Sequence, residues 1–181
     1  ATTTDYCGNV IYENGTQKLL LTEEGYIDLA NSNTYYYYLK DHQGNNRVVL
    51  SSSGTVMETN HYYPFGGVFS TSTNPQPYKY NGKELDSKNG LNWYDYGARQ
   101  YDAALGRWFV VDPLSEKMYG WSPYNYCFNN PIKLIDTDGK RPRIYVETNG
   151  LGHAFVTTGT GKNTIVYTYG RYGALDGNKS S

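Results

Sequence analysis

"TYYYYLKDHQGNNRVVLSSSGTVMETNHYYPFGG", residues 34–67, carries strand-like runs near 34–39, 46–50 and 55–63, parted by turns at Gln43-Gly44 and Ser53-Gly54. Aromatic and β-branched residues fill the runs, and Gly supplies the backbone freedom that tight turns need. The pattern has period two, so the stretch predicts a meander of β-hairpins. Upstream, "NVIYENGTQKLLLTEEGYIDLA" (9–30) repeats it, with turns at Asn14-Gly15 and Glu24-Gly25. Downstream, "YKYNGKELD" (78–86) and "LNWYDYGARQYDAALGRWFVV" (91–111) read as short strands between Gly and Asn turns. The polar "STSTNPQP" (70–77) reads as a loop. Only "SEKMYGWSPYNYCFNN" (115–130) looks helical, as two single turns.

Leu, Ile, Val and Phe make up only about a fifth of the 181 residues, which would point to disorder if the net charge were large. The net charge is −1, and 21 Tyr and 3 Trp supply the missing bulk. Tyr buries a large ring while keeping a hydroxyl that needs a partner, so it suits half-wet sheet faces. The expected fold is all-β: Tyr-rich, with hairpin units recurring at roughly 20-residue intervals in a spiral or stacked sheet. An ordinary two-sheet sandwich is the alternative.

Several function classes drop out. Cys7 and Cys127 are too few for a zinc site and are expected as free thiols, with a disulfide between them the alternative; no metal or cofactor is expected. No apolar run approaches the roughly 20 residues of a membrane-spanning helix. No basic stripe suggests nucleic-acid binding. The first residues lack the regions of a signal peptide and begin without Met, so a fragment of a longer protein is expected. "NGT" (14–16) and "NKS" (178–180) match the glycosylation sequon, a pattern common by chance.

Two stretches stand apart. "GRWFVVDPL" (106–114) and "IDTDGK" (135–140) each set an Asp at a turn after strand-forming residues, Asp112 and Asp136 being 24 positions apart. Directly after the second, the charge balance changes. Residues 141–181 hold Arg141, Arg143, Lys162, Arg171 and Lys179 against Glu147 and Asp176, a net of +3, which leaves −4 for residues 1–140. The tail has strand-like runs "RIYVET", "GHAFVTTG" and "TIVYTYG", but 41 residues rarely fold alone. A boundary at 140 is expected, with 141–181 opening a second, truncated domain.

"DHQGNNRVVL", "HYYPFGG", "YKYNGKELD", "NWYDYGARQYDAALGRWFVVDPLSEKM" and "SPYNYCFNNPIKLIDTDGK" closely resemble the core region of rearrangement-hotspot (RHS) repeat proteins, in the form common among Bacteroides-like bacteria. The resemblance covers roughly residues 30–140, and residues 1–30 look like preceding repeats. It implies a shell of Tyr/Asp repeats that encloses a C-terminal toxin, closes at the core motif and, in many members, cuts the toxin free by an aspartyl-protease-like self-cleavage. It further implies an exported effector of type VI or similar route, used between competing bacteria. Its partners would be the enclosed toxin, an immunity protein and a secretion apparatus.

The paired aspartates carry that chemistry. Two carboxylates held close do not both ionise cheaply, so one keeps a proton while the other acts as a base. Such a pair can activate water and protonate the leaving amine of a peptide bond. By the family pattern, Asp112 and Asp136 are the pair, Arg107 orients a carboxylate or stabilises the oxyanion, and the scissile bond is Lys140–Arg141. Two departures weigh against cleavage: Thr137 stands for the usual Pro, and Lys140 for an apolar residue expected to fill a pocket. Asp138 competes with Asp136. The contrasting reading makes Asp112 and Asp138 turn residues, Arg107 a structural ion-pair partner, and the protein a purely structural or surface-binding β-repeat. His42 and His61 read as hydrogen-bonded sheet residues and Cys127 as packing. His153 faintly resembles the histidine of papain-like hydrolases, without a cysteine after it.

Overall fold

The computed structural model describes residues 2–70, 76–140, 142–144, 154–158 and 165–169. Most of the 70–77 loop and most of the tail, His153 included, lie outside them. Strands β1 (Thr4–Cys7), β2 (Val10–Glu13), β3 (Thr16–Thr22), β4 (Gly25–Asp28), β5 (Thr34–Lys40), β6 (Asn46–Ser51), β7 (Val56–Tyr62) and β8 (Val68–Ser70) form one eight-stranded sheet. Each pairs antiparallel with the next, so the sheet is a meander in chain order. The turns fall where the glycines stand. At the β2–β3 turn, Asn14 (φ 52°) and Gly15 (φ 77°) are both left-handed, the backbone whose twist matches a two-residue hairpin.

Alternation gives the sheet two unlike faces. Tyr36 stacks on Tyr26, with ring centroids 4.7 Å apart, and Tyr38 lies beside them at 5.8 Å from Tyr26. That face also buries Ile11, Val49, Glu58 and Asn60. Tyr35, Tyr37 and Leu39 point the other way and are exposed. On the inner face the Lys79 ammonium donates to the Glu58 carboxylate, both side chains being almost wholly buried.

A second antiparallel sheet, in the order β12-β11-β10-β9, comprises β9 (Glu84–Asp86), β10 (Trp93–Asp95), β11 (Gln100–Asp102) and β12 (Arg107–Trp108). Tyr80, Tyr94, Tyr96, Tyr101, Trp108, Tyr126 and Cys127 make the main core. Its hydroxyls are spoken for. Tyr80, Tyr101 and Tyr94 donate to the carbonyls of Pro64, Phe65 and Gly66 at 3.1, 2.8 and 2.9 Å, pinning the β7–β8 turn. Tyr96 and Tyr126 both donate to Asn81 Oδ1, at 2.7 and 2.8 Å.

Among the described residues helix is confined to four single turns. Ser115–Lys117 and Cys127–Asn129 fall within the expected window; Tyr80–Gly82 and Lys88–Gly90 do not, because Asn-Gly pairs wind them through left-handed Asn81 and Asn89. In Cys127–Asn129 all three residues are left-handed, with φ of 48°, 50° and 56°. Beyond the core, β13 (Leu134–Asp136) pairs antiparallel with β14 (Pro142–Ile144), and β15 (Ala154–Thr158) with β16 (Ile165–Tyr169).

Candidate active site

The elements around Asp112 and Asp136 follow from which side chains must go inward. On β11, Tyr101 is fully buried, so Arg99, two residues earlier, shares its side and is buried too. On β12 the large Trp108 takes the inward position. The segment 123–125 then runs alongside: Trp108 N–H donates to the Tyr124 carbonyl and Asp112 N–H to that of Pro123, each at 3.0 Å. This holds Asp112 inward. From the other side β13 buries Ile135 and ends on Asp136, which is wholly inaccessible.

One guanidinium nitrogen joins the two aspartates. Arg99 Nη2 lies 2.8 Å from Asp112 Oδ2 and 3.4 Å from Asp136 Oδ2, so the two oxygens are separated by no more than the sum of those distances. Arg99 stacks over the Trp108 ring at 4.2 Å, and its Nε donates to the Gly139 carbonyl at 2.5 Å. Arg99 Nη1 is a buried donor without a hydrogen-bond acceptor. Asp112 Oδ1 accepts from the Leu114 N–H at 2.7 Å. Asp136 Oδ1 accepts from the N–H groups of Asp138, Gly139 and Lys140 at 3.2, 2.8 and 3.2 Å.

Burial pushes the Asp136 carboxyl above the usual carboxylate range, against the opposing pull of the Asp138 and Gly139 N–H groups and of Arg99. The same burial lowers the Arg99 guanidinium, opposed by Asp112 and then Asp136. Two aspartates facing one arginine in a desolvated site bring two carboxyl groups to one place, the geometry that acid–base work on one bond requires.

Of the residues singled out in the sequence, Asp112 and Asp136 come together. Arg107 does not join them. It is exposed, packs on the Tyr124 ring at 5.3 Å and makes no ion pair with either aspartate, because Trp108 claims the inward position beside it. Arg99 stands in its place, and the signal for it was period two counted back from the buried Tyr101. Asp138 is half-buried and accepts from the Lys140 N–H at 3.2 Å. Thr137 is exposed, and its carbonyl accepts from Lys83 Nζ at 2.7 Å. Lys140 is exposed. Arg141 lies outside the described residues.

His42 Nε2 lies 3.4 Å from the Ile132 carbonyl. His61 Nδ1 lies 3.4 Å from Arg47 Nη2, and its ring stacks on Phe69. Both are structural contacts. Cys7 is exposed and Cys127 buried; both are free, and burial pushes the Cys127 thiol up to about 12. Among the described residues no three or more His, Cys, Asp or Glu side chains gather to hold a metal ion, and no helix is long and apolar enough to cross a membrane.

Residues 17–134 match the teneurin YD-shell family. The chain is 37% identical over 120 residues to salivary gland surface protein 1 of Aedes aegypti, covering 64% of this chain and 3% of that one. It is 35% identical over 104 residues to toxin subunit YenC2 of Yersinia entomophaga, covering 54% and 10%. The fold also resembles a chain of the Photorhabdus luminescens Tc holotoxin pore, with a TM-score of 0.65 at 23% identity over 82% of this chain and 8% of that one. A crystal structure of TcdB2-TccC3 without its hypervariable C-terminal region gives 0.62 at 24%, over 76% and 8%. The chain thus spans a small part of each of these relatives. A meander of Tyr-rich hairpins closed by a tyrosine core, with the family match over residues 17–134, places this chain in the YD-shell family of RHS-type repeat proteins.

Proposed function

We propose that the chain is the closing segment of an exported toxin's shell, which encloses a C-terminal effector used against competing bacteria and frees it by cutting the chain at Lys140–Arg141. Residues 141–181 are then the start of the effector. The observation that carries the reading is the single Arg99 nitrogen shared by Asp112 and Asp136, both buried, at the root of the turn that holds Lys140. Asp136 and Pro142 are cross-strand partners, so the chain leaves the pair at Asp136 and returns to it two residues past Lys140.

In this mechanism Asp112, the nearer to the guanidinium, takes a proton from water as the water oxygen bonds to the Lys140 carbonyl carbon. Asp136 keeps a proton because it is desolvated, and its looser 3.4 Å contact to Arg99 leaves Oδ2 free to carry it. That proton passes to the amide nitrogen of Arg141 as the C–N bond breaks. The products are a carboxyl terminus at Lys140 and an amino terminus at Arg141. Arg99, with a donor to spare at Nη1, holds the pair and the adjoining backbone.

A second reading, a purely structural or surface-binding shell, draws on the three N–H groups that Asp136 Oδ1 accepts, a bond pattern that also suits an ordinary turn. Intact mass and a denaturing gel of the purified chain separate the two. Fragments ending at Lys140 and beginning at Arg141, absent in Asp112→Asn, support release. An uncut chain supports the structural shell.

A further inference from the structure

Beside Asp112 lies a gap of about 10 Å³, room for one water-sized sphere, bounded by Asp112, Met118, Trp121, Pro123, Phe128 and Pro142 among others. Its lining is mixed, with Ser115, Ser122 and Asn125 standing among the apolar side chains. The Trp121 and Phe128 rings meet with centroids 4.9 Å apart. Phe128 reaches that position from the middle of three successive left-handed residues, none of them Gly. Such a backbone is strained for residues that carry a Cβ, and strain of this kind concentrates where geometry serves a function. Pro142 closes the gap while standing opposite Asp136 across β13–β14. It therefore borders the gap that Asp112 lines and is paired with Asp136.

We infer that this cradle is the subsite for the leaving side of the cut, and that it selects a compact apolar ring at the second position past the bond, here Pro142. The inference rests on the self-cleavage reading. Pro142 bounds a gap with room for no more than a water-sized sphere, so its ring limits how far the departing strand sits from Asp112. A longer side chain would not fit beside Trp121 and Phe128 and would push the strand out. Trp121 and Phe128 are positioning residues in this scheme; neither donates or accepts a proton.

The full chain is expressed as wild type, Asp112→Asn, Pro142→Gln, Pro142→Val and Phe128→Asn, and the cut fraction is followed over time by intact mass. Phe128→Asn removes the ring but keeps a residue that tolerates left-handed backbone, as Asn129 already does. Urea midpoints report the fold separately. Expected is a wild-type cut that Asp112→Asn blocks, a slowing of about tenfold or more in Pro142→Gln and Phe128→Asn, and near-normal cutting in Pro142→Val, with little change in midpoint. Unchanged cutting in Pro142→Gln and Phe128→Asn overturns the subsite and leaves the aspartate pair standing. Slowing that merely follows a lowered midpoint also overturns it. A wild-type chain that is never cut removes the self-cleavage reading and the subsite with it.

Discussion

Arg99 Nε donates to the Gly139 carbonyl at 2.5 Å, so the side chain that pairs both aspartates also grips the backbone one residue before Lys140. A planar fork does this; a lysine ammonium offers one point of charge and no stacking plane for Trp108. Arg99→Lys is expected to slow self-cleavage by about tenfold or more, whereas Arg107→Ala leaves it unchanged. The cut fraction on a denaturing gel checks both. Equal loss in the two variants would contradict the assignment.

Gly139 has φ of 72°, and a Cβ there would lie 3.0 Å from the Arg99 backbone nitrogen and 3.2 Å from Tyr96 Cβ. Neither neighbour is a loose side-chain end. Gly139→Ala should lower stability by about 1–3 kcal/mol through that backbone strain and slow the cut as well. Urea denaturation measures the first effect and intact mass the second.

Asp136 is held above the usual carboxyl value of 3.8 by burial. A raised folded-state pKa means that the native protein binds the proton more tightly than the unfolded chain does. Its contribution to stability is therefore full below the unfolded value and disappears as pH rises through the folded one. Self-cleavage should decline over the same rise, since Asp136 then loses the proton it must give. Melting temperature against pH for wild type and Asp136→Asn tests this: the variant should lack that component. A cleavage rate that climbs steadily from pH 4 to 7 would contradict the assignment of Asp136 as the acid, given where carboxyl groups titrate.

Glu58 and Lys79 form an ion pair out of reach of water. Removing one partner strands the other charge, so Glu58→Gln should cost about 3–5 kcal/mol. Replacing both, as Glu58→Leu with Lys79→Met, should recover most of that loss, because neither charge is then left buried alone. Urea midpoints of the single and double variants decide it.

The meander was legible because its turns are local. Asn14-Gly15, Gln43-Gly44 and Ser53-Gly54 lie between runs of period two, and the strands fall where those runs do. Arg99 was harder to see. It sits in a turn between two short strands, and its side is fixed by the burial of Tyr101, a tertiary event. Arg107 was the candidate because it matches the family pattern; the competition it loses, against Trp108 for one inward position, is a matter of volume. The three left-handed residues at Cys127–Asn129 carry no local signal, since Cys and Phe have no preference for that backbone. Packing against Trp121 and the core imposes it.

Tyr80, Tyr101 and Tyr94 each address a different carbonyl in the row Pro64, Phe65, Gly66. An oily interior could slide by one residue and lose little. This one cannot, because a one-step shift would hand each hydroxyl to the wrong neighbour and leave a carbonyl dry. The tyrosines thus act as the pins of a lock, and the meander and the small sheet have one seating. Gly66 enforces it: a Cβ at that position would lie 2.5 Å from the Tyr80 ring. A wall assembled from near-identical hairpins needs such a key, since its repeats alone offer many equivalent registers. The key and the aspartate pair are also neighbours in the chain, since Tyr94 and Tyr101, which hold the β7–β8 turn, flank Arg99, which holds Asp112 and Asp136.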